Sequence, residues 1–439
     1  MRTAFSAEQL TDPHLADAER QLRTCIHCGF CTATCPTYTL LGDERDSPRG
    51  RIGLIQHMLE SKAPPTKETV LHLDRCLSCL GCRSACPSGV DYSALIDAAR
   101  AHIEKTYQRP LIERLFRSFV LFVLMRPGVF SVLSAAAHVA APFLPGKLGT
   151  MAKKGRVRRR PARPAPIAET SAAARRVLLV PGCVQRALAP SIDAAATRVL
   201  ARQDIKIETL KTVECCGSLA YHLGKIDITK TYARRLIEAF EDASKVGEVD
   251  AVLITASGCG SFLKDMGRVF ADDPAWHARA QAFAAKVKDF TELVAVPPPP
   301  PSAFALRAAV DKSAAPPPRG GEEKSGVRDL LVAYHPPCSL QHGQRIHGKG
   351  EKLLVAAGFR LAPIPDAHLC CGSAGSYSVL QPEISDALRA RKLDSIRTTG
   401  ATLIASANLG CLTHLSGDVP TVHIAELLDW AQGGPKPQM

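Results

Sequence analysis

Sixteen cysteines in a chain of 439 residues carry most of its chemical potential. Eight of them form two runs of one spacing, Cys-x2-Cys-x2-Cys-x3-Cys-Pro. The first run is Cys25, Cys28, Cys31 and Cys35 before Pro36, and the second is Cys76, Cys79, Cys82 and Cys86 before Pro87. Three thiolates spaced by two residues wrap one iron–sulfur cube in a tight loop, while the fourth lies too far along to reach it and ligates the other cube. Two [4Fe–4S] clusters are therefore the expected cofactors. Cys25, Cys28, Cys31 and Cys86 would hold one, and Cys76, Cys79, Cys82 and Cys35 the other. Gly29 and Gly81 let backbone approach a cluster closely, and Pro36 and Pro87 stiffen the exit from each run. Structural zinc prefers separated Cys-x2-Cys pairs, so this spacing favours cubes over zinc or disulfides. Two such clusters in one domain imply a protein that passes electrons.

The other eight cysteines repeat. Copy one has Cys183, Cys215-Cys216-Gly217 and Cys259; copy two has Cys338, Cys370-Cys371-Gly372 and Cys411. The offset is 155 residues for the first three cysteines and 152 for the last. Each copy reads as one domain from a duplication. Three readings stay open for these thiols: an ordinary cluster in one or both copies, a redox dithiol or persulfide, or packing alone. Adjacent buried cysteines offer no packing advantage over Ala or Val, which favours at least one redox site. His335, His342 and His414 lie near the copy-two cysteines. All three read as ordinary loop histidines; His414, three residues after Cys411, is the one also placed to ligate or to shuttle a proton.

Around these motifs the elements follow from periodicity. A helix is expected before Cys25. Ser47-Pro48 suits an N-cap and first helical position, with Ile52, Leu54, Ile55, Met58 and Leu59 at helical spacing after it. Residues 91–117 read as another helix. In the repeats, Val177–Val180, Ile205–Leu210, Ala251–Thr255, Leu330–Tyr334, Phe359–Ile364 and Thr402–Ala405 read as strands. Helical stretches such as Ser191–Arg202 and Asp227–Ala243 separate them. Strand–helix alternation implies parallel sheets. Cys183, Cys259, Cys338 and Cys411 then follow strands at the carboxyl edge, where open α/β sheets place ligands. The expected organisation is a two-cluster domain over 1–107, an apolar helical connector and basic linker over 108–176, copy one over 177–296, a Pro-rich linker over 297–327 and copy two over 328–439.

The formal charge is +13. Lys153, Lys154, Arg156, Arg158, Arg159, Arg160 and Arg163 crowd one acid-free stretch. It reads as a solvated linker or as an attraction to anionic lipid or an acidic partner. No nucleic-acid recognition module accompanies it. Phe119–Met125 and Val129–Pro145 are apolar but too short or too interrupted for a span of roughly 20 residues. Met1–Leu22 lacks the apolar core of a secretory signal, so a cytoplasmic location is expected, with thiols serving as metal ligands. No GxGxxG turn, P-loop or nucleophile elbow is present. No catalytic residue or flavin site is expected in this chain, which needs a flavoprotein partner.

The paired cysteines resemble the CCG domain of heterodisulfide reductase and of iron–sulfur subunits in quinone-linked dehydrogenases. That reductase has a further cysteine three residues before the last; here those positions are Ala256 and Asn408, which argues against its noncubane clusters. The segments Cys25-Ile-His-Cys-Gly-Phe-Cys-Thr-Ala-Thr-Cys-Pro-Thr-Tyr, Leu41-Gly-Asp-Glu-Arg-Asp-Ser-Pro-Arg-Gly-Arg-Ile, Cys338-Ser-Leu-Gln-His-Gly-Gln and Cys370-Cys-Gly-Ser-Ala-Gly-Ser-Tyr resemble the iron–sulfur subunits of bacterial glycolate oxidase. The resemblance implies a helical ferredoxin-like N-terminal domain followed by two duplicated α/β CCG domains. It implies electron transfer from a flavin subunit oxidising glycolate to glyoxylate, towards a quinone or other non-oxygen acceptor, at the cytoplasmic face of the inner membrane. The iron–sulfur subunit of lactate utilisation, that of anaerobic glycerol-3-phosphate dehydrogenase and a CCG disulfide reductase are the alternatives.

Overall fold

A computed structural model describes residues 1–61, 63–140, 167–171, 174–295 and 330–439. The basic stretch 153–163 and the Pro-rich stretch 297–327 lie outside the described residues. The N-terminal domain is helical. Helix α1 (Pro13–Thr24) starts at Asp12, whose carboxylate accepts from the amides of His14 and Leu15, and ends at Cys25. Helix α2 (Pro36–Leu41) begins directly after Cys35. Helix α3 (Pro48–Ser61) is capped as its Ser-Pro start implies, with the Ser47 hydroxyl accepting from the Gly50 amide at 2.9 Å. Helices α4 (Lys67–Asp74), α5 (Gly81–Ala85) and α6 (Tyr92–Thr106) complete the layer. Leu22, Ile55, Leu73, Leu95, Ile96 and Ile103 form one buried cluster that includes Cys25, Cys76 and Cys82. Cysteine placement is thus set by a packed helical core.

The single helix expected over 91–117 is two. Pro110 supplies no amide to continue α6 and restricts Arg109 before it, so α7 (Leu111–Leu124) starts afresh. Helix α8 (Pro127–Ala140) follows a turn at Met125–Arg126. The pair is bent by 102°, and among the described residues no single helix is long and apolar enough to cross a membrane. Leu121 and Met125 pack into the core of copy one, while Leu111, Ile112, Leu115, Phe119 and Phe122 stay exposed.

Each repeat contains a four-stranded parallel sheet. Strands β1 (Arg175–Leu179), β2 (Ile205–Thr209), β3 (Ala251–Ile254) and β4 (Val287–Asp289) pair in the order β2-β1-β3-β4. Strands β5 (Leu331–Tyr334), β6 (Arg360–Leu361), β7 (Leu403–Ser406) and β8 (Thr421–His423) pair as β6-β5-β7-β8. The identical order is the structural trace of the duplication. The fourth strands escape sequence reading because three residues are too few to show a period. The copies share a core in which Val177, Leu253, Val332 and Leu403 belong to one cluster. Arg198 donates to Asp429 at 2.8 and 2.6 Å, and Arg202 adds a third bond at 2.8 Å. The Ser257 and Ser339 hydroxyls meet at 2.8 Å across the same boundary.

Candidate metal centres

The first run folds around a cavity lined by Cys25, Cys28, Cys31 and Cys86 together with Ile52 and Tyr92. His27 and Gly29, at φ of 56° and 83°, are left-handed, and so are Ser78 and Leu80 at the same two places of the second run, at 52° and 60°. Such a conformation in an ordinary residue costs about 1–3 kcal/mol, so its recurrence marks a constraint imposed by what the loops hold. The Ser78 amide donates to Cys76 Sγ at 3.5 Å, and the Val90 amide to Cys86 Sγ at 3.4 Å. Burial pushes the Cys31 thiol up to about 11, with charge on Cys25, Cys86 and Cys28 adding to it. Four thiolates so placed need a cation among them. Sulfur donors, amides aimed at sulfur and preformed left-handed turns all fit [4Fe–4S] cubes.

Cys35, Cys76, Cys79 and Cys82 lie near one another. Burial, then charge on Cys79, Cys76 and Cys35, holds the Cys82 thiol far above its ordinary range. The segment between the runs explains itself here. Buried Arg51 donates to the His72 carbonyl at 2.8 Å, to Thr37 Oγ1 at 3.1 Å and to Cys35 Sγ at 3.8 Å. Asp46, fully buried, accepts from Arg51 at 3.1 Å and Arg75 at 2.9 Å. A guanidinium beside a cluster sulfur favours the reduced, more negative state of that cluster. Arg100 of α6 was missed by sequence reasoning. It ties the second loop down through Ser78 Oγ and the Cys76 carbonyl, both at 2.6 Å. Its signal was an arginine on the apolar face shared by Ile96, Ala99 and Ile103.

Both CCG copies gather their four thiols. Hydrogen bonding to Cys215, then burial, raises the Cys183 thiol; Cys216 bonds both Cys215 and Cys259. In copy two, Cys338 Sγ lies 3.7 Å from Cys370 Sγ, and Cys371 bonds Cys370 and Cys411. The glycine of each motif is left-handed, at φ of 92° for Gly217 and 96° for Gly372. A Cβ on Gly372 would sit 2.7 Å from the Ser385 carbonyl oxygen.

The three flagged histidines separate. His335, Cys371 and Cys411 are buried with ligand atoms within 4.8 Å of one another, and burial lowers His335 to about 3. His342 instead contacts Ser84 Oγ at 2.9 Å, and His414 contacts Ser385. At one of the missing fifth-cysteine positions, Asn408 donates to Cys411 Sγ at 3.5 Å.

The copies face different neighbours. Copy two abuts the second ferredoxin-type loop. Leu77, Cys370 and Tyr377 share an apolar cluster with Cys79 and Cys338, and Tyr377 donates to the Arg75 carbonyl at 2.9 Å. Burial, then charge on Cys338, raises Cys79. In copy one, Cys215 lines a pocket with Thr212, Val213, Glu214, Tyr232 and Arg235, and Leu121 and Met125 of the α7–α8 pair share its core.

Comparison with known proteins agrees with this geometry. Residues 24–90 match the 4Fe-4S dicluster domain, and residues 177–264 and 332–416 each match the cysteine-rich CCG domain. The chain is 38% identical over 434 residues to the glycolate oxidase iron-sulfur subunit of Escherichia coli (strain K12), covering 98% of this chain and 99% of that protein. The chain belongs to the family of glycolate oxidase iron–sulfur subunits. A probable member from Bacillus subtilis (strain 168) is 30% identical over 94% of this chain and 95% of its own length. Lactate utilization protein A of Exiguobacterium sp. (strain ATCC BAA-1283 / AT1b) is 28% identical but matches only 58% of this chain, so that alternative fits less well. Two [4Fe–4S] clusters are the cofactors of this family's N-terminal domain, and the protein is an iron–sulfur electron-transfer subunit.

Proposed function

We propose that this chain is the electron conduit of a glycolate dehydrogenase complex. A flavin-bearing partner oxidises glycolate to glyoxylate, and electrons leave through this chain towards a quinone or another non-oxygen acceptor. The chain itself supplies no catalytic residue and does not oxidise glycolate alone. Cys25, Cys28, Cys31 and Cys86 hold one cluster; Cys76, Cys79, Cys82 and Cys35 hold the other. Bound there, the clusters take up and release electrons singly, which divides the pair that a flavin delivers.

The observation that carries the direction is an asymmetry of exposure. Cys28 is the one exposed cysteine of the sixteen, flanked by Ile26 at 68% and Phe30 at 69% exposure. That apolar rim around a cluster loop suits the flavin partner. The second run is buried against copy two, so its outlet is inward. Cys183, Cys215, Cys216 and Cys259, with Cys338, Cys370, Cys371 and Cys411, are the candidates for further centres.

The exposed face of α7 and α8 offers a second surface for this reading. Ile112 is 83% exposed and Val139 76%, and the sequence after α8 carries the basic stretch 153–163. An apolar face followed in the sequence by clustered cations suits the anionic cytoplasmic surface of a membrane. Ile112→Asp with Phe119→Asp should release the complex from anionic vesicles in a flotation assay; unchanged flotation would refute the membrane step. The complex without this chain should still reduce its flavin with glycolate but not reduce quinone. Quinone reduction at the normal rate by the partner alone would overturn the conduit reading.

A further inference from the structure

We propose that copy two holds an iron–sulfur centre with His335 as a ligand beside Cys371 and Cys411, and that copy one holds no counterpart of it. This rests on the conduit reading above and adds a ligand that the eight CCG cysteines alone would not suggest.

Three observations converge. His335, Cys371 and Cys411 bring one nitrogen and two sulfur donors within 4.8 Å of one another. His335 is 1% exposed, and its Nδ1 is buried without a hydrogen-bond partner. A buried polar atom left unpaired is costly, and two thiols alongside it form a donor set for a soft or borderline metal. Finally, at the shared offset of 155 residues the copy-one equivalent of His335 is Val180, which is also buried. Copy one keeps four thiols and loses the imidazole, so the histidine is not a requirement of the fold.

Cys370 adjoins Cys371, and its sulfur is 3.7 Å from that of Cys338, which extends the donor set towards the ferredoxin-type domain. Binding would release the thiol protons to solvent, while the neutral imidazole gives a lone pair and loses no proton. The donors alone would serve zinc as well. Position favours iron, because Cys338 and Cys370 pack against Cys79 of the second run, where a redox-inert ion would interrupt the path. Replacing thiolate by imidazole raises the potential of an iron–sulfur centre, which suits an acceptor placed after the second cluster.

The test uses the full chain purified anaerobically, with iron, zinc and sulfide analysis and spin-echo spectroscopy of the reduced protein. Iron above the about eight atoms of two cubes is expected, with nitrogen hyperfine coupling that disappears in His335→Val. His335→Cys keeps the metal-binding character of the site; it should retain the iron, lose the nitrogen coupling and lower the potential. Zinc in place of the extra iron, iron of only about eight atoms, or nitrogen coupling that survives both substitutions would overturn the proposal. Failure of the conduit reading shows separately, as loss of the two N-terminal cluster signals.

Discussion

Copy one and copy two of the CCG domain have the same strand order and the same four-thiol arrangement, but different surroundings. Copy two packs its thiols against Cys79 and places His335 beside Cys371 and Cys411. Copy one places Val180 at that wall and packs the core around Cys215 against the bent α7–α8 pair. Its polar groups lie elsewhere: half-buried Asp193 accepts from Gln185 at 2.7 Å and Thr255 at 2.6 Å. Duplication preserved the scaffold, and the neighbours decide what each copy can do. The thiols of copy two pack against the second cysteine run, and the core of copy one takes in Leu121 and Met125.

The sharpest way to break this contrast is to remove matched thiol pairs. Cys370→Ser with Cys371→Ser should abolish acceptor reduction while glycolate-dependent flavin reduction persists. Cys215→Ser with Cys216→Ser should slow acceptor reduction less and leave the N-terminal clusters intact by EPR. Equal losses in steady-state assays would erase the distinction between the copies.

The boundary between the copies comes next. Asp429→Ala strands buried Arg198 beside Arg202, and breaking such a buried pair costs about 3–5 kcal/mol. Thermal unfolding should shift down accordingly, and an unchanged midpoint would mean the copies do not depend on this contact. An acid of copy one gives a pH signature. Burial raises Asp193 to about 6 from its ordinary 3.8, so the native state holds its proton more tightly than the unfolded chain. Its favourable contribution is complete below the unfolded value and is lost as pH rises through about 6, a change of roughly 3 kcal/mol. Asp193→Asn should lessen the fall of stability across that window in denaturant titrations, leaving the share of Asp289, which burial also raises to about 6. A subtler effect belongs to Arg51→Met, which should lower the potential of the second cluster and leave the first unmoved in redox titration.

The sequence showed the cysteine spacing and the 155-residue repeat, and from these the cluster domain and the doubled parallel sheets were legible. Short contiguous signals survive without coordinates. What did not show were meetings between distant segments. Arg100 reaches Cys76 from α6, Arg51 reaches Cys35 across two helices, and Tyr377 reaches Arg75 across 302 residues. His335 read as a loop histidine because nothing in its local pattern announces the two thiols that β7 and the CCG turn bring to it. The break at Pro110 was visible as a proline, but the expected helix ran through it because apolar spacing continued on both sides.

On the proposed function, electrons pass from the partner flavin into this chain beside exposed Cys28. The most direct test is stopped-flow spectroscopy of the complex with Cys28→Ser, first with glycolate and then with quinone. Flavin reduction should proceed at the wild-type rate, with reoxidation slowed by at least about 100-fold, a barrier rise of roughly 2.7 kcal/mol. Reoxidation at the wild-type rate would contradict that route.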